Sequence, residues 1–228
     1  MEPPEPAATP RTPAGPGRLP LRPELLVALA GLLTGAFAAV AYYSPLLRSL
    51  AHTFVIWTAL AAVVAAGQSP RTAVVRVSIA LLGAVSAFYS GKAVVYGVLY
   101  SGGALPLNLF DLLVWGGLAV VAGVVLGLGL RAVGDSGARG TVATASALGL
   151  MWGDVVRRTG LVFSPDPALV AVTGLLTAVL LLLGSRSRAQ AARIALLAVP
   201  LTVPGFLLVS APDLLEQLLI TGSFSGGW

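Results

Sequence analysis

The 228-residue chain has no cysteine, a single histidine, and charge on only 10% of its residues. Without cysteine there are no disulfides, no thiolate metal ligands and no thiol nucleophile. His52 stands without a nearby Asp or Glu constellation, so neither zinc binding nor general-base catalysis has a basis, and a hydrogen bond or a ligand contact is its expected role. The shortage of charge excludes an ordinary soluble domain, which devotes about a quarter of its residues to Asp, Glu, Lys and Arg. Two motif absences narrow the chemistry further. "SGKA" around Lys92 lacks the preceding glycines of a phosphate loop, and no GxSxG nucleophile elbow occurs. The net charge of +5 is not gathered into a Lys/Arg stripe, so nucleic acid is not an expected partner, and no cofactor or metal is expected either.

What the chain has is apolar sequence in long blocks. Hydrophobic residues make up 57% of it and the mean hydropathy is +0.91. A helix needs about 20 residues to cross a hydrocarbon layer of about 30 Å, and several blocks reach that length. The expected fold is therefore an all-α polytopic membrane protein, a bundle of seven transmembrane helices, with six plus a re-entrant segment as the alternative. The expected spans are 24–44, 49–67, 72–99, 108–130, 141–157, 165–184 and 194–210. The third is long enough to require tilt, an interfacial end or a break near Ser90 and Gly91. The fifth is short and carries charge at its end, which is why it is the re-entrant candidate. Pro200 and Pro204 are expected to kink or interrupt the last span.

Residues 1–22, rich in proline, read as a flexible cytoplasmic leader. Residues 23–210 form the membrane domain, and 211–228 an amphipathic, flexible outward tail. A cytoplasmic N-terminus puts ten of the fourteen basic residues inside and leaves Arg48, Lys92, Arg157 and Arg158 outside. A non-crossing fifth segment would reverse the later arginines, so seven crossings fit better. The expected location is a bacterial-type cytoplasmic membrane, with the C-terminus outside.

Small residues recur at Gly31, Gly35 and Ala39, and again at Gly123 and Gly127, in strips that favour close helix packing. The polar residues gather at one depth. Tyr89, Lys92 and Tyr96 share a helix face. The outer ends of other spans add Tyr43, His52, Asp111, Trp115, Asp154 and Arg157, together with Tyr42, Trp152, Asp213 and Glu216. Two roles are open to this cluster. Lys92 and its tyrosines can anchor a helix end in the interfacial aromatic belt. Alternatively the group lines a cavity in which Lys92 or Arg157 meets an anionic group, Asp111 or Asp154 meets a cationic one, and the rings hold an apolar body. Asp154 is also spaced to pair with Arg157 or Arg158, as a structural ion pair.

The expected function is a small integral membrane subunit for solute transport or substrate capture through an outward-facing polar and aromatic cavity. Membrane lipids, a small solute and a separate energising or scaffold subunit are its expected partners. A structural or assembly subunit and an intramembrane lipid-modifying enzyme are the alternatives, with an enzyme the less favoured. In compact size, in the small-residue first helix over 28–39 and in outward ligand capture, the chain is similar to the membrane substrate-binding subunits of energy-coupling-factor transporters. Those usually have six spans, and no motif extends the similarity along the whole chain.

Overall fold

Residues 23–100, 107–159 and 166–221 are described by a computed structural model. Eight helices occur among them in the order α1 Pro23–Tyr42, α2 Arg48–Ala51, α3 Val55–Ala65, α4 Pro70–Leu99, α5 Leu109–Leu130, α6 Ala138–Thr159, α7 Pro167–Gly184 and α8 Arg188–Thr221. The leader expected over 1–22 and the tail beyond Thr221 lie outside the described residues.

Local chemistry sets where several helices begin. Ser69 accepts from the Thr72 amide and is followed by Pro70 at the first helical position of α4. Asn108 Oδ1 accepts from the Phe110 and Asp111 amides to start α5. Asp166 Oδ1 accepts from Ala168 and Leu169 at 2.8 and 3.3 Å, ahead of Pro167, to start α7. Five helices, α1, α4, α5, α7 and α8, are long and apolar enough to cross a membrane. Their outward faces carry Leu29, Leu33, Leu113, Leu182 and Leu196, all exposed, as lipid-facing surfaces require. The chain is thus an all-α helical bundle of the polytopic membrane class.

Contacts at the two ends define the helix directions. At one end Arg76 of α4 pairs with Glu24 of α1 at 3.3 Å, the Gly67 amide after α3 donates to the Arg131 carbonyl after α5, and Gln190 of α8 donates to the Asp135 carbonyl before α6. At the other end lie Tyr42, Phe54, Lys92, Asp111, Arg158 and Glu216. Successive long elements therefore run in alternating directions.

Backbone proximity holds the bundle together. A Cβ on Gly31 or Gly35 would fall on the carbonyl oxygen of Ala80 or Ala84, so α1 lies directly against α4. Gly123 and Gly127 bring α5 equally close to Ser78 and Val74 of α4, and Ala39 is buried where α1 passes Gly91. Both small-residue strips are thus filled from within the chain. A third seam was not apparent in the sequence: Gly149 and Gly153 of α6 meet Leu201, Gly205 and Phe206 of α8.

The structure corrects one expectation about continuity and excludes one alternative in each of two others. The block expected as one span over 49–67 is broken into α2 and α3, with residues 52–54 outside either helix. α4 runs through Ser90 and Gly91 without a break; Ser90 Oγ donates to the Ser86 carbonyl at 2.6 Å instead of opening the turn. α8 continues through Pro200, Pro204 and Pro212 for 34 residues, with Thr202 and Ser210 hydroxyls bonded to Ala198 and Phe206 carbonyls in the neighbouring turns. Residues 211–221 are therefore the last turns of α8. α8 packs closely along α6, where Gly149 and Gly153 meet Leu201, Gly205 and Phe206.

α6 is the least apolar of the long helices and the most enclosed. Twelve of its 22 residues are buried, including Thr141, Thr144 and Asp154. Its threonine hydroxyls donate back to the Gly137 and Gly140 carbonyls, so polar side chains enter the bundle with their donors satisfied. It is one uninterrupted helix from Ala138 to Thr159.

Not every glycine serves contact. Gly129 of α5 has open space where a Cβ would stand. Gly129→Ala is expected to raise stability by about 0.4–1 kcal/mol by restricting the unfolded chain, measured as an upward shift of thermal unfolding in detergent.

Candidate functional site

The end of the bundle that gathers Tyr42 and Lys92 contains a cleft of about 410 Å³. α4 supplies one wall through Val85, Phe88, Tyr89 and Lys92, whose three- and four-residue spacing keeps them on one face. The break between α2 and α3 contributes His52, Thr53 and Phe54, with Trp57 one turn further on. α5 adds Asp111 and Trp115, α6 adds Arg158, and α8 adds Asp213 and Glu216. Helices far apart in sequence thus converge on one space.

Lys92 occupies an aromatic corner. Its Nζ lies 4.4 Å from the centroid of the Tyr42 ring, 5.2 Å from Phe88 and 5.5 Å from Tyr89. Ring quadrupoles attract the ammonium by about 0.5–1 kcal/mol each where water has access. Among the described residues Lys92 makes no ion pair. Tyr43 stands behind it, donating its hydroxyl to the Lys92 carbonyl at 3.1 Å.

Asp154 lies behind Thr53 and Phe54 of the lining and is fully buried. Its Oδ2 accepts from the Thr53 hydroxyl at 2.5 Å and the Phe54 amide at 2.7 Å; its Oδ1 accepts from Arg157 Nε and Nη2 at 3.0 and 2.8 Å. Arg158 Nε lies 3.5 Å from Oδ2. The carboxylate therefore sits at the N-terminus of α3, where the first amides of the helix lack intrahelical partners and favour negative charge. This explains the broken second span: the chain leaves helical geometry at 52–54 to aim an amide and a hydroxyl at a carboxylate a hundred residues away.

Arg157 then carries the network upward. Its guanidinium also pairs with Asp213 of α8 and lies 5.3 Å from the Phe54 ring. Phe54 approaches Trp115 at 6.0 Å, and Trp115 Nε1 donates to Glu216 Oε1 at 3.2 Å. Helices α5, α6 and α8 and the α3 entrance are tied together along one rim of the cleft.

The sequence candidates divide accordingly. His52, Tyr89, Lys92, Asp111 and Trp115 line the cleft. Asp154 and Arg157 lie in its supporting network, and Tyr43 supports the backbone of α4. Tyr96 stacks with Tyr100 at 4.8 Å and is outside the lining. Trp152 is also elsewhere, donating to Thr177 of α7. Phe88 could have been found from its four-residue spacing to Lys92. Thr53, Phe54 and Trp57 carried no such signal, because the break that places them is set by Asp154. Among the described residues no group of three or more His, Asp or Glu side chains is arranged to hold a metal ion.

No curated protein and no solved structure matches the chain. A protein-family model does, over residues 14–215, a stretch that contains all of the cleft except Glu216. The chain belongs to DUF6518, a family of unknown function.

Proposed function

We propose that the chain is a small integral membrane subunit that captures or transports a solute through the cleft around Lys92. The observation that carries this reading is the convergence of aromatic rings and charged groups of both signs, from separate helices, on a space of about 410 Å³. An interfacial anchor requires only lipid-facing tyrosines, whereas Tyr42, Phe88 and Tyr89 are turned toward Lys92 inside the bundle. Ligand sites between helices have this composition: an apolar lining with a few convergent polar groups.

In this reading the membrane is crossed seven times, by α1, α2 with α3, α4, α5, α6, α7 and α8. α3 alone, at about 16 Å, is short of the hydrocarbon thickness and relies on α2 and the buried break to complete its passage. The N-terminus is cytoplasmic and the cleft opens outward, at the end opposite Arg71, Arg76, Arg131, Arg139, Arg186, Arg188 and Arg193. A bacterial-type cytoplasmic membrane is the proposed location. A separate subunit supplies energy or scaffolding.

Purification in mild detergent followed by unbiased mass spectrometry of retained small molecules is the test. A recurrent solute is expected, and Lys92→Met and Asp111→Asn are each expected to weaken its binding at least tenfold. Unchanged affinity in both variants, with monodisperse protein, would reject the cleft as the capture site.

A further inference from the structure

We infer that the cleft is built for a zwitterion, a small ligand bearing an anionic group and an ammonium group on or beside an apolar body. This rests on the capture reading above and specifies its substrate class. The charges of the site divide into those already used and those left open. Asp154 is consumed by Thr53, Phe54, Arg157 and Arg158, and Arg157 also holds Asp213. Asp154 and Arg157 cannot receive a ligand without releasing a partner, whereas Arg158, which lines the cleft, reaches Asp154 through Nε alone and can join Lys92 in meeting an anionic group. Glu216 accepts from the Trp115 indole, a neutral partner that leaves its negative charge uncompensated. Lys92 and Asp111 line the same cleft, and among the described residues neither side chain has an ion-pair partner.

One unpaired cation, Lys92, and two carboxylates without an ion-pair partner among the described residues, Asp111 and Glu216, line one cavity without joining each other. A singly charged ligand would satisfy one and leave the other uncompensated in a partly desolvated space. A ligand carrying both charges satisfies both. Its anionic group, carboxylate or phosphate, meets Lys92, which the three rings hold in place. Its ammonium meets Asp111 and Glu216, while Phe54, Trp57 and Trp115 face its apolar part. Two sources share this chemistry, a free zwitterionic solute and the headgroup of a zwitterionic phospholipid.

Calorimetry on the full chain in phosphatidylglycerol nanodiscs separates these terms. The probes are phenylalanine, glycine betaine and phosphoethanolamine, each compared with analogues keeping only its anionic or only its cationic group. At least one zwitterion is expected to bind tenfold or more tightly than both of its analogues. Lys92→Met should then bind that zwitterion and its amine-only analogue equally well, and the double variant Asp111→Asn with Glu216→Gln should bind it and its acid-only analogue equally well. Lys92→Arg and Asp111→Glu, which keep the charges, should retain the preference and guard against misfolding as the cause. Adding phosphatidylethanolamine to the nanodiscs distinguishes the sources: a tenfold loss of probe affinity marks a lipid headgroup as occupant, and no loss marks a free solute. If no zwitterion outperforms its analogues, or if the preference survives both neutral variants, the inference is overturned. A singly charged or neutral solute retained through purification would still leave the capture reading standing.

Discussion

Asp154→Ala is expected to lower stability by about 3–5 kcal/mol, the cost of removing one partner from a buried ion pair. The carboxylate is inaccessible to water and offers its oxygens to two guanidinium groups, a hydroxyl and a backbone amide. Removing it leaves Arg157 with Asp213 alone and leaves the Phe54 amide and the buried Thr53 hydroxyl without their acceptor. Asp154→Asn keeps an acceptor for Phe54 but not the charge, so its loss should be smaller than that of alanine. Thermal unfolding in detergent with size-exclusion profiles measures both. A change below about 1 kcal/mol in Asp154→Ala would show that the α3 entrance does not depend on this group.

Gly35→Val in α1 is expected to cost about 3 kcal/mol, the upper part of the range for overpacking. The added Cβ would meet the backbone carbonyl of Ala84, which has no rotamer to give, so the helices must separate along the seam that also contains Gly31 and Ala80. Gly97 of α4 provides the contrast, since a Cβ there meets nothing within 4 Å. Gly97→Ala should be neutral or mildly stabilising. If the two substitutions change thermal unfolding equally, α1 does not pack on α4 in this register.

The helices most legible in the sequence were those whose surroundings are lipid. α1, α4, α5 and α7 have apolar residues on nearly every side, so their hydropathy marks them and Ser69, Asn108 and Asp166 mark where three of them start. α6 was the weakest expectation because its surroundings are protein. Small and polar residues suit a helix enclosed by α3, α7 and α8, and they erase the hydropathy signal. The α2–α3 break was illegible for a related reason: "AHTFVI" has no proline or glycine to announce it, and its cause is Asp154 on another helix. In α8 the prolines do not interrupt the helix, which runs unbroken from Arg188 to Thr221.

The same division holds for the site. Lys92, Tyr89, Asp111, Trp115 and His52 could be grouped by depth once the spans were laid out. Which of the charges were free could not be, because that depends on Arg157 reaching Asp213 and on Arg158 joining Asp154. Tyr96 shares the Lys92 face by periodicity, yet α4 carries it past the lining toward Tyr100.

The absence of cysteine makes a direct measurement simple, because a single introduced thiol reports alone. His52→Cys places one at an exposed position on the cleft wall, and Ala189→Cys places one at the opposite end of the bundle, also exposed. In intact cells a membrane-impermeant maleimide should label His52→Cys at once and Ala189→Cys only after permeabilisation, and the solute retained through purification should slow labelling at residue 52 alone. Labelling of Ala189→Cys from outside, or modification of His52→Cys at the same rate with and without the solute, would contradict an outward-facing capture cleft.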